Sequence, residues 1–157
     1  MGAYLFGILF SFTLLWSGTA MDETLEEDQV THEKAPVEQE GSGISVTVNK
    51  PIYTPEESIA MTLRVFNYTN QEITFSFTTA QRYEFTIEDA EGQEVWHWSD
   101  GRIFAQVMGK ETLGPGREEM VYTEAYAGPL EPGGYKVTGI LVASDRTISA
   151  NITITIR

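Results

Sequence analysis

The chain has 157 residues, no cysteine, and 23 acidic against 10 basic side chains, for a formal net charge of −13. That is one domain's length of chain with extensions. Disulfides, thiolate chemistry and cysteine-ligated metals are excluded, and the acidic balance lacks the basic groove that a phosphate backbone requires, so nucleic acid is not an expected partner.

Residues 1–20 carry no charged side chain, and Ala3 to Trp16 is nearly continuous apolar sequence followed by Ser17-Gly18-Thr19-Ala20. This reads as a signal peptide cleaved after Ala20. The span is also close to the roughly 20 residues needed to cross a bilayer, so an uncleaved membrane anchor is the other reading. Either way, the rest of the chain is expected to be extracytoplasmic, with membrane contact only through this segment. Residues 21–43 hold eight acids against one lysine. Low hydrophobicity with like charge cannot offset ordering entropy, so this stretch reads as an acidic disordered linker.

From Ile44 the pattern has period two. Ile44, Val46 and Val48 alternate with polar residues until Lys50-Pro51, and Tyr53-Thr54-Pro55-Glu56-Glu57 is a turn. Ile59, Met61, Leu63 and Val65 make the next strand, Asn67-Tyr68-Thr69-Asn70-Gln71 turns the chain, and Ile73, Phe75 and Phe77 alternate again. Tyr83, Phe85 and Ile87, then Trp96 and Trp98, flank a polar segment ending in Gly92, which predicts a hairpin. Met120 and Tyr122 mark a further strand. Tyr135 to Leu141 follows Pro132-Gly133-Gly134, and Ile148 to Ile156 closes the chain. About eight short strands without an amphipathic helix predict an all-β, antiparallel, immunoglobulin-like β-sandwich over 44–157, with a closed barrel as the alternative.

Reactive groups are sparse. His97 is the one histidine outside the linker, and Ser99 and Asp100 sit too close to it along the strand end to form a nucleophile–base–orienter relay. No spacing suits zinc. Asp89-Ala90-Glu91-Gly92 resembles the start of a calcium loop but lacks the later ligands and suffices as a turn. Catalytic residues, cofactor-binding residues and metal ligands are therefore all expected to be none. Asn67-Tyr68-Thr69 and Asn151-Ile152-Thr153 match the glycosylation sequon. Residues 99–117 form a long connection, and long loops are disproportionately functional. Residues 103–107 read equally as an extra edge strand or as an exposed loop. Arg102, Phe104 and Met108 are the candidate partner contacts.

Several stretches carry a family resemblance: Tyr53-Thr54-Pro55, Phe66-Asn67, Phe75-Ser76-Phe77, Gln81-Arg82-Tyr83-Glu84-Phe85, Gly92-Gln93-Glu94-Val95-Trp96-His97-Trp98-Ser99, Phe104-Ala105-Gln106, Leu113-Gly114-Pro115-Gly116 and Pro132-Gly133-Gly134-Tyr135. With these, residues 44–157 resemble the BsuPI family of bacterial intracellular proteinase inhibitors. The resemblance implies a compact β-sandwich and inhibition of subtilisin-like serine proteases. The family's usual Pro-Gly-Glu is Pro55-Glu56-Glu57 here, and its usual Asp before Phe85 is Glu84. The export segment also conflicts with an intracellular target. The expected function is thus a serine-protease inhibitor acting outside the cytoplasm, with a non-inhibitory extracytoplasmic protein-binding module as the alternative.

Overall fold

A computed structural model describes residues 41–116 and 118–157. The predicted export segment and nearly all of the acidic linker lie outside the described residues. Ten strands follow in order: β1 (Ser42–Val48), β2 (Ile52–Tyr53), β3 (Ile59–Asn67), β4 (Ile73–Phe77), β5 (Tyr83–Glu88), β6 (Glu94–His97), β7 (Gly109–Leu113), β8 (Glu118–Tyr126), β9 (Gly133–Leu141) and β10 (Ile148–Ile156). There is no helix among the described residues.

The alternation read from the sequence becomes two packed sheets. One has the order β1-β3-β8 and the other β2-β10-β9-β5-β6. In β3, Ile59, Met61, Leu63 and Val65 are buried and the intervening residues are not, as a half-buried strand requires. Ile59, Met61 and Leu63 meet Phe85, Ile87, Val137 and Ile154 of the facing sheet in one core. The approach is close at Gly139, where an added Cβ would lie 2.8 Å from Leu63 Cδ1 and 3.3 Å from both Phe85 and Val46. Open edges at β2 and β6 rule out the closed barrel.

The structure corrects the sequence reading in three places. The strand pairs are antiparallel except for β2 with β10, which run parallel. A third, two-stranded sheet of β4 and β7 covers a second core of Val65, Phe75, Phe77, Leu113 and Leu141. Finally, 103–107 takes the loop form, one of its two sequence readings, and the unforeseen strand within 99–117 is Gly109–Leu113.

Asn67 pins the end of β3 to this third sheet. Its side chain is fully buried, with Nδ2 donating to the carbonyls of Gln71 at 2.7 Å, Leu113 at 3.1 Å and Gly114 at 2.9 Å. Its Oδ1 accepts from the N–H and the hydroxyl of Thr69. That amide is committed to the fold, which makes Asn67-Tyr68-Thr69 a structural turn. Asn151 is exposed on β10.

Candidate functional site: the loop after the tryptophan hairpin

The β5–β6 hairpin positions the loop that follows it. Asp89 N–H donates to Gln93 O at 2.9 Å, Asp89 Oδ1 accepts from the N–H groups of Glu91 and Gln93, and Gly92 takes φ 80°. The acidic segment is therefore a tight turn closed by its own aspartate. Among the described residues no group of three or more His, Asp or Glu is arranged to hold a metal.

Beyond the turn, Trp96 and Trp98 lie at the side of the sandwich where β6 and β8 face each other. Trp96 packs on Tyr126 with centroids 5.2 Å apart. Tyr83 lies between Trp98, at 4.5 Å, and Tyr122, at 4.6 Å. Tyr83 also donates its hydroxyl to Glu124. Burial raises the Tyr83 hydroxyl far above the usual tyrosine range, and the Glu124 carboxylate reinforces this by accepting a hydrogen bond from the neutral hydroxyl and repelling the phenolate. Trp98 is 8% exposed. Burying roughly 200 Å² of indole contributes on the order of 5 kcal/mol at about 25 cal/mol/Å². Its indole N–H has no acceptor among the described residues, so ring packing holds it.

A buried carboxylate fixes the backbone around this cluster. Alternation sends Glu84 to the face opposite Phe85, yet Glu84 is 4% exposed. Its Oε1 accepts from Phe85 N–H at 3.0 Å and Ser99 N–H at 3.1 Å. Its Oε2 accepts from Gln81 Nε2 at 2.9 Å and lies 3.0 Å from His97 Nε2. His97 Nδ1 is 3.3 Å from Glu94. His97 and Ser99 thus both serve Glu84, Ser99 through its main chain.

From this base the chain turns through Gly101, with φ 71°, and enters the loop. Arg102 folds back, its guanidinium carbon 4.2 Å from the Trp98 ring centroid and its Nε donating to Trp98 O at 2.8 Å. Phe104 is half-buried, with its ring 5.8 Å from Trp98. Ala105 O accepts from Ala80 N–H at 2.8 Å, tying the loop to the segment before β5. At the far end Arg82 stacks 4.5 Å over Phe77, donates to Thr79 O at 2.7 Å and pairs with Glu111 of β7 at 2.9 Å.

The three sequence candidates separate on this geometry. Phe104 and Arg102 lie against Trp98, Phe104 by its ring and Arg102 by its guanidinium, while Met108 is 84% exposed. The structure adds two residues that sequence reading had left out: Ile103, 98% exposed, and Val107, 61% exposed. Their apolar character was legible, but exposure depends on which neighbours the tryptophan cluster claims. Three large apolar residues are thus exposed within six positions of one loop.

Residues 46–146 match the family model described as BsuPI, intracellular proteinase inhibitor. The chain belongs to the BsuPI family. The matched span contains both tryptophans of the hairpin, Glu84 and the whole 99–108 loop. The BsuPI description names proteinase inhibition, which makes a proteinase the partner class of the family. No curated protein matches the chain. Among solved structures the chain is similar to Spo0M, a sporulation control protein from Bacillus subtilis, at 16% identity and TM-score 0.48. That alignment covers 74% of this chain and 49% of Spo0M, so the chain spans about half of that protein's length. It is also similar to a CARDB domain from Pyrococcus furiosus solved with di-metal ions, at 13% identity and TM-score 0.43, over 74% of this chain and 87% of that one.

Proposed function

We propose that this BsuPI domain inhibits a subtilisin-type serine proteinase outside the cytoplasm, and that it does so through the loop following Trp98. One observation carries the reading: apolar side chains at 103, 107 and 108 are held out from a loop whose base is clamped by Trp98 on one side and Arg82 on the other. Affinity for a cleft depends on how little freedom is lost on binding, and a loop ordered in advance loses little. The uncharged apolar residues 1–20 support export, and inhibitor and target must share a compartment.

The test is titration of the full chain against a subtilisin-type proteinase, following residual activity and the integrity of the inhibitor. Stoichiometric loss of activity with the chain intact supports inhibition. Unchanged activity, or digestion of the chain, rejects it and moves the search to non-proteinase binding partners. Export is tested separately by fractionating producing cells; the domain confined to the cytoplasm would reject that part.

A further inference from the structure

We infer that Ile103 is the primary specificity residue of the inhibitory loop, entering an apolar pocket of the proteinase while the peptide groups on either side of it pair with the cleft. This rests on the inhibitor reading above and says which atoms do the work.

Three observations converge on Ile103. Its neighbours in sequence are both held on the protein: the Arg102 guanidinium lies over the Trp98 ring and Phe104 packs against the same indole. Between them Ile103 is 98% exposed, the most exposed large apolar side chain among the described residues. One side chain is thus projected by two anchors on a common support. Its main chain is also uncommitted. Nearby peptide groups are occupied, with Arg102 N–H donating to Ser99 O at 2.9 Å and Ala105 O accepting from Ala80 and Val107. Among the described residues the Ile103 and Phe104 peptide groups make no hydrogen bond. Free N–H and C=O groups beside a projected side chain are what strand-like docking in a cleft consumes, with the pocket supplying selectivity.

The chemistry of Ile103 defines the partner. A branched, uncharged side chain fits an apolar pocket and leaves a buried acid at the base of a trypsin-like pocket unpaired. Val107 and Met108 lie four and five residues further on, beyond the Ala80–Ala105 tie, and serve as flanking contacts.

The experiment measures inhibition by the full chain, unsubstituted and as Ile103→Arg, Ile103→Gly and Met108→Ala, against a subtilisin-type proteinase, chymotrypsin and trypsin. Ile103 touches nothing that the fold needs, so circular dichroism and melting temperature should be unchanged in both Ile103 variants. Loss of a central anchor is expected to weaken inhibition of the apolar-pocket enzymes by about 30-fold or more in Ile103→Gly. Ile103→Arg should lose the same activity and gain inhibition of trypsin, while Met108→Ala should stay within about threefold. An Ile103→Arg variant that inhibits like the unsubstituted chain overturns the assignment of Ile103 and leaves the inhibitor reading standing. An unsubstituted chain that inhibits none of the three enzymes overturns both.

Discussion

The Arg102 guanidinium lies 4.2 Å from the centre of the Trp98 ring and donates to the carbonyl of that same tryptophan at 2.8 Å. A residue named from sequence as a candidate partner contact is also part of the loop's support. Arg102→Ala should lower stability by only about 0.5–1 kcal/mol, the scale of a partly exposed cation–π contact. It should weaken proteinase inhibition by a larger factor, about tenfold, because loop order is lost before binding. Arg102→Lys should restore little of it, since an ammonium lacks the planar stack and the Nε donor. Melting curves and inhibition titrations on the same samples separate the two effects; equal losses in both would reject a positioning role for Arg102.

Glu84 holds the loop's base from the opposite face. Removing its carboxylate leaves the N–H groups of Phe85 and Ser99 without their acceptor in a buried setting. Glu84→Ala should destabilise the domain by about 3 kcal/mol. Glu84→Gln keeps an acceptor oxygen and should cost about half of that. Denaturant unfolding checks both, and a Glu84→Ala variant as stable as the parent would show the network to be dispensable.

Asn67 makes five hydrogen bonds from a fully buried amide. Asn67→Asp removes the donor that three carbonyls share and sets a carboxylate against them, so a loss of about 3 kcal/mol or more is expected in chemical unfolding. In a host that glycosylates exported chains, intact-mass and peptide mapping of the folded protein should find any glycan on Asn151 and none on Asn67.

The two sheets touch at Gly139. A methyl group there would press on Leu63, Phe85 and Val46 at once. Leu63 can yield at its flexible end, so Gly139→Ala should cost about 1–3 kcal/mol and Gly139→Val more. A neutral Gly139→Val would mean that the sheets separate easily at this point.

Burial raises the hydroxyl pKa values of Tyr53, Tyr83, Tyr122, Tyr126 and Tyr135 above the ordinary 10.0. For an acid whose folded pKa exceeds its unfolded value, the folded state binds the proton more tightly. The stabilisation is complete below the unfolded pKa and declines as pH rises past it. The melting temperature should accordingly be flat up to about pH 9 and fall steeply above about pH 10, with phenolate absorbance appearing together with unfolding. Tyr83→Phe should make that alkaline fall shallower. Phenolate absorbance that grows in the folded protein near pH 10, from all seven tyrosines, would contradict it.

Much of the fold was legible because half-buried strands must alternate. Ile59 to Val65, Tyr135 to Leu141 and Ile148 to Ile156 repeat their apolar residues every second position, and each became a strand with its apolar face turned inward. The tryptophan hairpin was readable for the same reason, helped by Gly92, whose positive φ the turn needs. Strand β7 escaped notice since Gly109-Lys110-Glu111-Thr112-Leu113 buries only Leu113, and its conformation comes from pairing with β4 across more than thirty residues of chain. The short parallel β2 is likewise a strand only through β10.

The candidate site was half visible. Sequence marked the 99–117 connection and its apolar content through length and composition alone. Which of those residues face outward was decided by tertiary packing: Trp98 takes Arg102 and Phe104 for itself and leaves Ile103 in solvent. Burial of a particular loop side chain depends on the surface it meets, and that surface is assembled from the β5–β6 hairpin before the loop and from β8, which follows it in the chain. Local pattern therefore determined the sheets and the existence of the loop, whereas the direction of each side chain on it came from contacts that exist only in the folded molecule.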